Sequence, residues 1–174
     1  MPTTKQVVGC AALLIQSAAG LESDVKGGVI KLDWSDCGDS ATHGHITSLT
    51  PSTLTIGDKT SVAGKGSIDE AIQGASYKVT AKALGITVFS HQGDACKPET
   101  ITLPAGAGTI DLKGFTCPLS KGDVELDLDI NLASTIPAKL ARTTIELTAT
   151  AASGDKALCV QIKTSPASDD EVIV

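Results

Sequence analysis

Between Val124 and Leu132 the chain alternates without a break: Val124, Leu126, Leu128, Ile130 and Leu132 are apolar, and Glu125, Asp127, Asp129 and Asn131 between them are polar. Successive side chains of an extended backbone point to opposite faces, so this period of two predicts a strand with one dry face and one wet face. Two further segments carry the same signature. Tyr77, Val79, Ala81 and Ala83 alternate with Lys78, Thr80 and Lys82, while Thr143, Ile145, Leu147 and Ala149 alternate with Thr144, Glu146 and Thr148. Weaker strand patterns cover residues 29–34, 44–49, 60–68, 85–91, 109–115 and 157–163. Gly57-Asp58, Gly74, Lys121-Gly122-Asp123 and Ser153-Gly154-Asp155 supply turn chemistry between them. No helical repeat longer than a turn or two competes, so many short strands predict an all-β sandwich or barrel.

The first residues break this pattern. Lys5 is followed by an apolar run through Val7, Val8, Cys10 and Leu13 to Ile15, too short to span a bilayer, and then by small residues. This is the pattern of a signal peptide over residues 1–20, with Ala18 and Gly20 at the −3 and −1 positions of a cut after Gly20. Removing 20 of 174 residues leaves 154, the size of one domain, expected over residues 21–165. Cleavage also removes Cys10 and leaves four cysteines, Cys37, Cys96, Cys117 and Cys159, as in a disulfide-stapled domain of an oxidising compartment. Residues 166–174, with Asp169, Asp170 and Glu171, read as a mobile acidic tail.

A net charge of −6 without a run of Lys or Arg argues against nucleic acid, or a strongly anionic membrane, as a steady partner. Catalytic patterns find no foothold. There is no G-x-S-x-G elbow, and Gly64-Lys65-Gly66-Ser67 lacks both the earlier glycine and the helix of a phosphate loop. His43 and His45 share a strand face and could join His91 around a metal, but partly exposed histidines explain them as well, and no metal or cofactor is expected. Glu125, Asp127 and Asp129 stand roughly 7 Å apart along one face. Cross-strand pairing with Lys78 and Lys82 accounts for them without an acid/base role.

The residues flanking the cysteines carry the most specific signal. Trp34-Ser35-Asp36-Cys37-Gly38, Ile46-Thr47-Ser48-Leu49-Thr50-Pro51, Gly93-Asp94-Ala95-Cys96, Cys117-Pro118-Leu119-Ser120-Lys121-Gly122 and Leu158-Cys159-Val160 occur in this order. From about Trp34 to Thr164 the chain resembles the ML family of lipid-recognition domains. That family includes the lysosomal sterol carrier of Niemann-Pick type C disease, the ganglioside activator, mite group 2 allergens and fungal phosphatidylglycerol/phosphatidylinositol transfer proteins. Four cysteines alone allow three connectivities. The resemblance implies Cys37 with Cys159 and Cys96 with Cys117. Two departures stand out: residues 97–116 form a longer interval between the second and third cysteines than in many members, and the extra middle disulfide of several members has no counterpart.

The resemblance implies an immunoglobulin-like β-sandwich of two antiparallel sheets with an apolar cavity between them. Its expected lining is Val79, Ala81, Leu84, Ile86, Val88 and Phe89 from the middle of the chain. Phe115, Val124, Leu126, Leu128, Ile130, Ile136, Ile145 and Leu147 follow from the later strands. An ordinary closed core fits the same residues, although an aromatic content of 2% leaves few bulky groups to fill it. The implied function is non-enzymatic: a secreted or lysosomal/vacuolar protein, expected as a monomer, that shields a sterol or phospholipid and touches membranes transiently. The alternatives are an extracellular recognition module with a closed core, or an accessory that presents lipid to a hydrolase.

Overall fold

The computed structural model describes residues 24–167, so the segment read as a signal peptide lies outside the described residues, as do residues 168–174 of the tail. The strands are β1 (Asp24–Lys26), β2 (Val29–Asp36), β3 (Gly44–Thr50), β4 (Thr53–Thr55), β5 (Lys59–Ile68), β6 (Ala75–Ala83), β7 (Ile86–Asp94), β8 (Glu99–Thr102) and β9 (Gly108–Leu112). They continue as β10 (Gly122–Leu132), β11 (Thr135–Pro137), β12 (Thr144–Ala151) and β13 (Lys156–Pro166), with one short helix, α1 (Ala138–Ala141). Among the described residues no helix is long and apolar enough to cross a membrane.

Two antiparallel sheets form the sandwich. One runs β3-β5-β10-β9-β8 and the other β4-β2-β13-β12-β6-β7, while β1 pairs with β11 at one end. The three strongly alternating segments, β6, β10 and β12, all lie inside the sheets and not at their edges. This is the expected outcome, since an inner strand has neighbours on both sides and its dry face must meet the opposite sheet. The Cys37–Cys159 disulfide ties the chain near the end of β2 to β13, and Cys96–Cys117 closes the interval after β7.

Several expectations change in three dimensions. The sheet continues past residue 165: Pro166 pairs with Ile30, and the Ala167 amide donates to the Val29 carbonyl at 2.7 Å. Pro166, the first residue assigned to the tail, is therefore the last of a strand. The interval 97–116, in which a strand was expected over 109–115, builds two, β8 and β9, the outer two strands of the five-stranded sheet. Finally, β10 has β5 and β9 as neighbours, so its acids face Lys59 and Lys65 on β5 and not Lys78 and Lys82, which belong to the other sheet. Lys59 Nζ lies 2.8 Å from Asp129, Lys65 Nζ 2.8 Å from Glu125, and Lys113 Nζ 3.5 Å from Asp127.

Candidate lipid cavity

The interior has two packed regions. At one, Ile30, Leu32, Leu54, Ile56, Val62 and Ile136 are buried together, with Ala107 and Ala141. At the other, Ile68, Ile72, Tyr77 and Ile101 are buried with the small side chains of Ala149, Ala151 and Ala157. Between the sheets lies a cavity of about 200 Å³ whose walls draw on both regions. At ~10–15 Å³ for each water-sized sphere, that is room for more than a dozen such spheres. Leu128, Ile130, Ile145, Leu147 and Ile162 point inward yet remain only half-buried, because the space in front of them is open.

The lining is apolar except for Thr143 and Thr164. Their hydroxyl oxygens lie 2.9 Å apart, and the Thr143 amide donates to Thr164 Oγ1 at 2.9 Å, so the pair satisfies itself. No buried side-chain polar atom among the described residues lacks a partner. The walls thus present almost nothing that would hold ordered water, and an apolar occupant gains about 0.8 kcal/mol for each methylene it removes from water.

Val79, Ala81, Phe89, Leu128, Ile130, Ile136, Ile145 and Leu147 are brought together on this wall. Phe115, Val124 and Leu126 are not; they line a separate space of about 60 Å³ beside Ile68, Ile72 and Leu119. Leu84, Ile86 and Val88 lie outside both cavities, with Leu84 99% and Ile86 70% exposed. For Val88 the physical reason is a break in parity, whereas Ile86 pairs with buried Ala83 and stands clear of the cavity at the end of the hairpin. Ala81 pairs with Phe89 but Lys82 pairs with Thr87, so Val88 is the extra residue of a bulge and Phe89 takes the inward site. Leu84 and Gly85, with φ of +50° and +80°, form the two-residue turn beyond it.

The sequence reading missed part of the wall. Ile101, Leu103, Pro104, Ala107, Ile110 and Leu112 all come from the interval 97–116. A period of two was present, with Ile101 and Leu103 flanked by Thr100 and Thr102, and Ile110 and Leu112 flanked by Thr109, Asp111 and Lys113. Four-residue β8 was too short for that signal to stand out from a loop.

Where β7 meets β8, a polar clasp joins the two sheets. Tyr77 Oη donates to Glu99 Oε2 at 2.6 Å and His91 Nε2 lies 2.9 Å from Glu99 Oε1. The Tyr77 hydroxyl, together with His91, holds the Glu99 carboxyl below its ordinary pKa, and burial, helped by Glu99, pushes the Tyr77 phenol up. Gly93 leaves the room this requires, since a Cβ there would collide with both the Glu99 carboxylate and the Tyr77 ring.

The three histidines have different partners in different places. His43 lies 2.9 Å from Asp69 and 3.4 Å from Glu70, His45 lies 3.0 Å from Asp36, and His91 belongs to the clasp. The hydrogen bond with Asp69 raises the pKa of His43. Among the described residues no three His, Cys, Asp or Glu side chains are grouped so as to hold a metal ion.

Comparison with known proteins places this geometry in context. The family model described as the ML domain matches residues 31–165. Chicken MD-1, solved in complex with lipid IVa, superposes with a TM-score of 0.53 at 17% identity, over 79% of this chain and 90% of that one. A Niemann-Pick type C2 protein from the Japanese carpenter ant gives 0.53 at 17% identity, over 77% of this chain and 98% of that one. At this identity the two structures establish the shared fold. Comparison with curated protein sequences gives no significant match.

Proposed function

This chain belongs to the ML-domain family, and on that premise we propose that it is a non-enzymatic lipid-binding and transfer protein that shields one sterol or phospholipid between its sheets. The cavity carries this reading: it is open, inter-sheet and apolar, with its only two polar side chains bonded to each other. The lipid IVa bound to chicken MD-1 supports a lipid as the class of ligand. Binding of this kind needs no covalent step. Its strength grows with the methylenes removed from water, and its selectivity comes from the shape of the wall. The two disulfides and the leader-like first twenty residues suit a secreted or lysosomal/vacuolar protein.

Native mass spectrometry of the purified protein, before and after lipid removal, tests the reading. One sterol or phospholipid per chain is expected, and a delipidated sample should take up a fluorescent analogue of the same lipid from solution. Ala81→Phe, which projects a ring into the cavity, should reduce uptake at least about tenfold. A folded, delipidated protein that takes up no sterol and no phospholipid overturns the proposal.

A further inference from the structure

The inward positions of two neighbouring strands stop being apolar at the same place. Along β12 they run back from Ala149 through Leu147 and Ile145 to Thr143, just before the strand, and along β13 they run from Leu158 through Val160 and Ile162 to Thr164. The Thr164 amide donates to the Thr143 carbonyl at 2.9 Å, so the two residues stand side by side in the cavity wall. Valine has nearly the shape of threonine and would suit an apolar wall better, because it brings no hydroxyl out of water.

The pair closes on itself without using all its capacity. Thr164 Oγ1 accepts from the Thr143 amide at 2.9 Å, and one hydroxyl hydrogen bridges the two side-chain oxygens, also at 2.9 Å. If Thr164 donates in that bridge, the hydroxyl hydrogen of Thr143 is left over. If Thr143 donates, Thr164 turns its hydrogen toward the Thr143 carbonyl at 3.5 Å, and lone pairs on Thr143 Oγ1 are left over. Thr143 Oγ1 can therefore take one further partner, as donor or as acceptor.

The rest of the wall limits what that partner can be. The lining carries no charged side chain, so a carboxylate or phosphate drawn inside would lie unpaired in an apolar space, which is very costly. Volume limits it again. About 200 Å³, at ~10–15 Å³ for each water-sized sphere, admits roughly 13 to 20 such groups. A methylene is close to a water in size, so the space suits one long chain or one compact ring system, and two acyl chains need about twice the room.

We propose that Thr143 and Thr164 are the specificity-determining pair of this cavity, and that they select a neutral lipid with one hydroxyl on a single apolar body, a sterol or a long-chain alcohol, over a two-chain phospholipid. The ligand hydroxyl bonds Thr143 Oγ1, and the apolar body lies against Leu128, Ile130, Ile145 and Leu147. This selection rests on the lipid-binding reading above and narrows it. Its size is modest. A site whose polar groups are orphaned by the wrong ligand rejects it on the order of 10⁴-fold, but this pair stays bonded to itself against an apolar ligand. The hydroxyl therefore gains one net hydrogen bond, about two- to tenfold in affinity.

The test is displacement of a fluorescent sterol from the delipidated full chain by cholesterol, by its hydroxyl-free parent hydrocarbon, by hexadecanol and by dipalmitoylphosphatidylcholine. Cholesterol should displace the probe at about two- to tenfold lower concentration than the parent hydrocarbon, and the phospholipid should be weaker than either alcohol. Whichever alcohol acts at the lower concentration tells which source of the shared chemistry the cavity takes. Thr143→Val should abolish the preference for the hydroxyl and leave binding of the hydrocarbon unchanged, whereas Thr143→Ser, which keeps the hydroxyl, should retain it. Thermal unfolding verifies that both variants fold. Equal displacement by cholesterol and its parent, a phospholipid as effective as the alcohols, or a preference that survives Thr143→Val overturns the proposal and leaves the carrier reading standing. If the wild-type chain takes up no fluorescent sterol, a fluorescent phospholipid decides: its uptake overturns the selection alone, and uptake of neither overturns the carrier reading as well.

Discussion

Where β10 begins, at Gly122, it faces a region in which Ala149, Ala151 and Ala157 let the sheets approach and, with Ile68 and Ile72, leave a space of only about 60 Å³; toward its other end, Leu128 and Ile130 face the cavity of about 200 Å³. One strand, with one unbroken alternation, thus borders a nearly filled interior at one end and the larger cavity farther along. The difference lies in what stands opposite. Alanines permit contact between sheets, whereas longer aliphatic side chains on separated sheets, with Phe89 the one aromatic in the wall, leave a gap that none of them fills. The tighter region also holds the Cys96–Cys117 bridge near Gly74, while the region beyond the cavity ends in the exposed Leu84. Stability and binding are in this sense assigned to different ends of one sandwich.

The largest perturbation of that division is removal of the long staple. Cys37 and Cys159 are 122 residues apart, and on the chain-entropy model a loop of that size contributes about 4.7 kcal/mol or slightly more. Cys37→Ser with Cys159→Ser should lower the unfolding free energy in denaturant by roughly that amount, against about 3 kcal/mol for the shorter Cys96–Cys117 loop. A smaller but sharper contrast comes from the same change at two sites. Ala151→Leu, in the packed region, should cost ~1–3 kcal/mol by overpacking, whereas Ala81→Leu points into open space and should be nearly neutral in stability while weakening lipid uptake. If both variants lose the same stability, the cavity is not open in solution.

The clasp between the sheets gives a pH-dependent test. The folded-state pKa of Glu99 is depressed, so its contribution is present above the ordinary carboxylate value and is lost as pH falls through the depressed one. Tyr77→Phe should therefore destabilise most near neutral pH, with the gap from wild type narrowing in acid. His43 has the opposite sense. Its pKa is raised by Asp69, so its contribution is complete below the unfolded value near 6.5 and fades as pH rises through the folded one. Thermal unfolding of Tyr77→Phe and Asp69→Asn across this range separates the two. The smallest expected effect is at the Leu84-Gly85 turn: Leu84→Asn should raise stability by up to about 1 kcal/mol, because it relieves a left-handed leucine. A loss of stability there would mean that Leu84 packs somewhere on the protein.

The sequence alone determined an all-β sandwich or barrel, because period-two alternation is that of extended strands, and the flanks of Cys37, Cys96, Cys117 and Cys159 carried the resemblance that implies the sandwich. It also located Val79, Ala81, Leu128, Ile130, Ile145 and Leu147 on the inner face, since parity along an unbroken strand is a local property. Tertiary structure alone decided the rest. A bulge at Val88 changed the parity of β7, the neighbours of β10 proved to be β5 and β9, and the interval 97–116 became cavity wall. Whether an inward residue touches a partner or an empty space depends on how far apart two sheets stand, and that distance is set by side chains remote in sequence.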